Sequence, residues 1–187
     1  MKHYKYLSIV VPVYCEEATI HEFLNRINAT LAKTGKEYDY EIIFINDGST
    51  DNSYELLKAA AENDHRIRTI NFSRNFGHQM AITAGINHAK GDAVILIDGD
   101  LQDPPEVILE MTKKWEEGYQ VVYGVRDDRK GESLFKKFTA KVFYRFLNRI
   151  SDSKIPPDSG DFRLLDRNVV NILNTLPENN RFIRGLI

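Results

Sequence analysis

Short aliphatic and β-branched runs recur along this chain, each followed by a stretch with helical spacing, and that alternation leaves room for few architectures. Leu7–Val13, Glu41–Asn46, Arg68–Phe72, Ala93–Asp98 and Gln120–Val125 read as strands. Ala18–Thr34, Asn52–Asn63, His78–His88, Pro104–Glu117, Glu132–Ile150 and Arg167–Thr175 read as helices. Strands that alternate with helices are joined by crossovers, so the pattern predicts an α/β fold with a mostly parallel sheet. Runs such as Ile9-Val10-Val11 and Ile42-Ile43-Phe44-Ile45 are apolar at successive positions. A strand with one wet face would alternate, so the sheet is expected to be sandwiched by helices on both faces. With 187 residues, 42% of them apolar, the chain can close one sizeable core and is expected to be a single domain.

Charge and cysteine usage exclude several functions. The 25 basic and 27 acidic residues leave a net charge of −2, so no nucleic-acid partner is expected. The single cysteine, Cys15, excludes an internal disulfide and a cysteine-type zinc cluster, and suits a reducing compartment. The apolar run that ends at Val13 is too short and too quickly charged for a signal peptide or a membrane span, so the chain is expected to start in the cytosol. The last residues, Arg184-Gly185-Leu186-Ile187, stop on apolar side chains, which suggests that the polypeptide continues beyond them.

In an open, doubly wound sheet, ligands bind beyond the carboxyl ends of the strands, where strand order reverses. Acids and amides gather there at three strand tips: Pro12-Val13-Tyr14-Cys15-Glu16-Glu17, Asn46-Asp47-Gly48-Ser49-Thr50-Asp51 and Asp98-Gly99-Asp100-Leu101-Gln102-Asp103. Neither G-x-G-x-x-G after the first strand nor G-x-x-x-x-G-K-[ST] occurs, so a diphosphate needs another counter-charge. Asp98 and Asp100, with only Gly99 between them and Gln102 adding an amide oxygen, can hold a hard divalent ion; the competing reading is an ordinary acidic surface turn. Asp51 is placed to serve the following helix, which leaves Asp47 free to accept hydrogen bonds from a nucleobase unless it merely turns the chain. Tyr14 can stack on a base or pack at the rim. Asp103, ahead of Pro104-Pro105-Glu106, reads as an N-cap followed by a capping-box glutamate. Asp152–Asp161, with its prolines and glycine, reads as a long loop.

Taken in order, Ile9-Val10-Val11-Pro12-Val13-Tyr14-x-Glu16, Asn46-Asp47-Gly48-Ser49-x-Asp51, Asn75-Phe76-Gly77 and Asp98-x-Asp100-Leu101-Gln102-Asp103-Pro104-Pro105 resemble family-2 GT-A glycosyltransferases over nearly the whole chain. Within that family the chain is most similar to the polyprenyl-phosphate branch, relatives of dolichyl-phosphate mannose synthase and bacterial undecaprenyl-phosphate glycosyltransferases. The resemblance implies a Rossmann-like GT-A fold, with residues 1–103 as the nucleotide-sugar half and 104–187 as the acceptor half. It implies that Pro12, Tyr14, Glu16 and Asp47 line a nucleoside pocket together with Asp98 and Gly99. Asp98, Asp100 and Gln102 would hold Mg2+ or Mn2+ against the diphosphate, and Arg126 would meet a phosphate. The acceptor-side acid falls in Asp158-Ser159-Gly160-Asp161-Phe162-Arg163, with Asp161 weighted above Asp158. Many members carry Q-x-x-R-W where this chain has Arg181-Phe182-Ile183-Arg184-Gly185, a departure that favours the lipid branch. Arg163, Arg181 and Arg184 are candidates to bind the acceptor phosphate.

The implied activity is inverting transfer of a sugar from a nucleoside diphosphate sugar, UDP favoured, to a polyprenyl phosphate. A monoester phosphate is mostly ionised at neutral pH, so such an acceptor barely needs a general base, and Asp161 is expected to orient more than to deprotonate. Glu132–Ile150 sets Leu134, Phe135, Phe138, Val142, Phe146 and Ile150 at helical spacing among Lys136, Lys137, Lys141, Arg145 and Arg149, as an interfacial helix on an anionic leaflet would or as a core-facing helix would. The resemblance favours the former, with the enzyme at the cytoplasmic membrane face, anchored by C-terminal segments absent from this chain. A homo-oligomer is compatible with the sequence. The alternatives are a family member acting on a soluble or polysaccharide acceptor, and a non-catalytic nucleotide-sugar-binding module.

Overall fold

The computed structural model describes residues 5–125, 159–178 and 182–187. Its strands are β1 (Lys5–Val13), β2 (Tyr38–Asn46), β3 (Ile67–Asn71), β4 (Ala93–Leu96), β5 (Val121–Val125) and β6 (Ser159–Asp166). The helices are α1 (Ile20–Leu31), α2 (Ser53–Asn63), α3 (His78–His88), α4 (Ile108–Glu116), α5 (Arg167–Thr175) and α6 (Ile183–Leu186). The sheet runs β3-β2-β1-β4-β6-β5. β1 lies parallel to β2 and β4, and β2 to β3, while β4 and β6 pair antiparallel. The chain winds outward from β1 to β3 and then returns to β4 on the other side of β1. The switch in winding therefore falls at β1, where a ligand crevice is expected.

Contacts divide the chain into two compact units, Met1–Tyr123 with Asp161–Ile187, and Gly124–Gly160. Residues 163–166 pair with β4 within the sheet of the first unit. Everything that follows concerns the first unit. The helix expected at Glu132–Ile150 lies outside the described residues.

The apolar runs are sorted by their period of two. Leu7, Ile9, Val11, Ile42, Phe44 and Ile95 turn to the face covered by α1, α2 and α4; Val10, Ile43, Ile45, Val94 and Leu96 turn to the face covered by α3 and α5. On α1, Ile20, Phe23, Ile27 and Leu31 form the buried stripe at helical spacing. β6 departs from the expected loop. Its Leu164 and Leu165 are fully buried, one on each face, and pair with β4. Asp161-Phe162-Arg163-Leu164-Leu165-Asp166 has no β-branched residue and a charge at both ends, so nothing local marks it as a strand.

The start of α4 also differs from the expected cap. Pro104 occupies the N-cap without a side-chain acceptor, the first turn is 3-10 over Pro105–Val107, and Asp103 is buried. Glu106 closes no capping box; its two carboxylate oxygens accept from Arg26 of α1 at 3.0 and 2.7 Å.

Candidate active site

The cleft forms where three strand tips are wired together, and most of the wiring comes from Asn46–Asp51. Gly48 turns there with φ of 66°, and a Cβ on it would lie 2.3 Å from the Arg74 backbone. Side chains on the β2 side then satisfy the backbone of the β1 tip. Ser49 Oγ accepts from Cys15 N–H (2.9 Å), Ser53 Oγ from Glu16 N–H (2.9 Å) and Asp51 Oδ2 from Glu17 N–H (3.1 Å). Glu17 answers by accepting from Asn52 N–H at 2.9 Å. Asp51 also accepts from Ser53 N–H at 3.0 Å, the helix-start service expected of it. Asp47, expected to be free, is 3% exposed and has both oxygens engaged: Oδ1 accepts from Phe76 N–H (2.7 Å) and Oδ2 from Gly77 N–H (2.9 Å). A backbone approach ahead of α3, invisible in the local sequence, takes up its charge.

The resulting cleft, of about 360 Å3, is lined by Pro12, Tyr14, Glu16, Asp47, Asp98, Gly99 and Asp100, and also by Asn75, Gly77 and His78. Tyr14 is 48% exposed at its rim. Thr19 ties α1 to the β4 tip by donating to the Gly99 carbonyl at 3.0 Å. The two non-glycine residues with positive φ among the described residues, Cys15 (55°) and Leu101 (63°), sit on the β1 and β4 tips. Backbone strain of this kind, on the order of 1 kcal/mol or more, collects where a turn must present particular groups. In the second turn Leu101 packs on the core and Asp100 Oδ1 accepts from Gln102 N–H at 2.9 Å.

Electrostatically the cleft carries a surplus of carboxylate. Burial, with Asp100, Asp161 and Asp103 adding to it against the pull of His78, raises the pKa of Asp98 to about 6. Burial also raises Glu16, with Asp100 and Asp51 adding to the shift and the Thr19 hydroxyl opposing it. Asp161 faces the same cluster from β6. His78 Nε2 lies 3.3 Å from Asp161 Oδ2 and 3.5 Å from Asp98 Oδ1. Arg163 Nη2 lies 3.6 Å from Asp161 Oδ1.

The structure thus brings Pro12, Tyr14, Glu16, Asp47, Asp98, Gly99 and Asp100 to one cleft and sets Asp161 against it. Gln102 is exposed on the same turn. Arg163, expected to bind phosphate, is 4% exposed in the sheet, with its Nη2 3.6 Å from Asp161 Oδ1. Arg126, Asp158 and Arg181 lie outside the described residues, as does the side chain of Arg184. His78 is the site residue that sequence reasoning misses. It stands inside a helix pattern, and the one available signal is that it follows Asn75-Phe76-Gly77 at a helix start.

A family model, Glycosyl transferase family 2, matches residues 8–173. The chain belongs to glycosyl transferase family 2. Over 186 residues it is 55% identical to the uncharacterized glycosyltransferase YkcC of Bacillus subtilis (strain 168), all of this chain against 57% of that protein. It is 44% identical to the bactoprenol glucosyl transferase of Shigella phage SfV, over 97% of this chain and 58% of that protein. The mannosyltransferase PcManGT from Pyrobaculum calidifontis, solved with GDP-Man and Mn2+, superposes with a TM-score of 0.62 at 22% identity, over 91% of this chain and 47% of that one. The fold is the α/β GT-A arrangement. The chain spans a little under three fifths of the length of the curated relatives it matches.

Proposed function

We propose that this family-2 chain carries the catalytic site of an inverting glycosyltransferase that moves a sugar from a nucleoside diphosphate sugar, UDP favoured, to a polyprenyl phosphate at the cytosolic membrane face. The observation that carries the reading is the approach of Asp98, on the β4 tip that also carries Asp100, and of Asp161 on β6 to His78 Nε2, at 3.5 and 3.3 Å, by the switch point of the sheet. The 44% identity to a bactoprenol glucosyl transferase supports the lipid acceptor.

A hard divalent ion, Mg2+ or Mn2+, fits the donor set. Asp98 and Asp100 offer oxygen ligands amid mutually repelling carboxylates. Among the described residues no group of three His, Cys, Asp or Glu side chains is arranged to hold a metal ion by itself; Asp98 and Asp100, with Gln102 beside them, are the residues that would hold it with the nucleotide present. When bound, it offsets charge on the departing diphosphate. Asp47 and the Asn46–Asp51 turn keep the nucleoside pocket open between β1 and α3, and Tyr14 offers its ring at the rim. Asp161 orients a cation that faces the acceptor phosphate, whose oxygen attacks the anomeric carbon as the bond to the diphosphate breaks.

The test is transfer of labelled glucose from UDP-glucose to undecaprenyl phosphate in detergent with Mn2+. Label in the lipid phase, lost on Asp100→Ala and reduced less by Asp161→Asn, is the expected result. Label reaching only a soluble acceptor, or equal collapse of both variants, overturns the lipid-phosphate reading. Nucleotide binding without any transfer identifies a binding module instead.

A further inference from the structure

His78 opens α3 directly after Gly77, and the Asp47 carboxylate pins that junction by accepting from the Phe76 and Gly77 N–H groups. The residue just after β2 therefore fixes where the first side chain of α3 stands. From that start the imidazole reaches two acids on two further elements, Asp98 just after β4 and Asp161 on β6, with Nε2 3.5 Å from one and 3.3 Å from the other. Carboxylates only accept, so a ring nitrogen facing two of them is useful there as an N–H. One N–H serves one good acceptor at a time. Asp98 has another claim on it, since it lines the cleft proposed for the diphosphate. Asp161 stands outside that lining, and its other oxygen faces the buried Arg163 at 3.6 Å.

We infer that His78 is a positioning residue for the acceptor side: with the donor in place, Asp98 turns to the cation held against the nucleotide diphosphate and the Nε2 N–H passes to Asp161 alone, fixing that carboxylate, and the Arg163 guanidinium beside it, on the side where the acceptor phosphate arrives. Donor occupancy is thereby coupled to acceptor alignment. The inference rests on the donor reading of the same cleft. Its signature is a division of effects. Loss of the imidazole leaves nucleotide affinity nearly intact and damages use of the acceptor, and a side chain that keeps an N–H at similar reach restores part of it.

Two readouts test this in His78→Ala and His78→Gln, side chains on an exposed position that should not threaten folding. By calorimetry, UDP affinity with Mn2+ is expected to change less than about threefold in both, while acceptor KM rises or kcat falls about tenfold or more in His78→Ala, with His78→Gln recovering part of it. Parallel loss of UDP affinity and turnover, or a glutamine variant no better than alanine, overturns the inference. The second readout needs no turnover. In protein with 15N-labelled histidine, adding UDP and Mg2+ is expected to shift the His78 Nε2 resonance, and Asp161→Asn, shown by calorimetry to bind UDP, is expected to abolish that shift. An unmoved resonance, or one that moves equally in Asp161→Asn, sinks the positioning role. Absence of wild-type transfer to lipid phosphate would instead count against the proposed acceptor.

Discussion

Asp98 is poorly suited to being charged where it stands, and its proposed role as a metal ligand requires that it be charged. Its pKa of about 6 lies above the ordinary 3.8, so the fold favours the protonated form. That contribution to stability is complete below 3.8 and is lost as pH rises through about 6. A shift of about two units is worth roughly 3 kcal/mol at most, and less after solvent screening of a side chain 31% exposed. Asp98→Asn is therefore expected to raise the melting temperature of the metal-free protein at about pH 8, with the gain shrinking by about pH 5, while abolishing metal-dependent UDP binding. Thermal melts at the two pH values check the sign, and an unchanged or lower melting temperature at the higher pH contradicts it. The residues around Asp98 divide the work in a way the sequence hides. Ser49, Asp51 and Ser53 hold the β1 tip by its backbone, Asp47 holds the start of α3, and the cleft is what those bonds leave open.

Among the elements, α3 brings His78 to the site and lies close against the sheet. A Cβ on Gly85 would lie 2.2 Å from Val10 Cγ1 and 2.8 Å from Ile45 Cδ1, so only glycine lets the helix approach the sheet this closely. Helix propensity alone would make alanine better there by about 1 kcal/mol, whereas overpacking against the sheet costs about 1–3 kcal/mol. Gly85→Ala is expected to destabilise in chemical denaturation, and stabilisation would mean that α3 can lift away without penalty. The far end of α3 is pinned by a buried polar cluster. Glu41 Oε1 accepts from the Ser8 hydroxyl (2.7 Å) and Lys90 N–H (2.9 Å), and Oε2 from Arg68 (2.7 Å). Burial pushes the Glu41 pKa up, yet those bonds from Ser8, Lys90 and Arg68 outweigh it and hold the carboxyl below its usual range. Arg167 at the start of α5 reaches the same corner, donating to the Ala89 and Gly91 carbonyls. Helix α3 is thus held near both ends, by Asp47 just after β2 and by Glu41 on β2, which is what lets it present His78 at a set height.

For the whole molecule, no helix among the described residues is long and apolar enough to cross a membrane. The basic, phenylalanine-rich Glu132–Ile150 segment is expected to give weak sedimentation with anionic vesicles at low salt that disappears as salt rises, since each cation near such a surface contributes about 1 kcal/mol and is screened within a Debye length. No binding at low salt removes the interfacial role. At this scale the division between sequence and structure is clear in particular residues. Period-two apolar runs and helical stripes are local properties, so the sequence alone determined the strands β1 to β5, the sandwiching helices and the strand tips at which Asp98 and Asp100 would meet a ligand. It could not reveal β6, whose charged, unbranched residues become a strand through pairing with β4, nor Asp47 spent on the backbone ahead of α3, nor Arg163 withdrawn from solvent. Above all it could not set His78 between Asp98 and Asp161, because those residues lie on three elements far apart in the chain and only the closing of the sheet against α3 makes them neighbours.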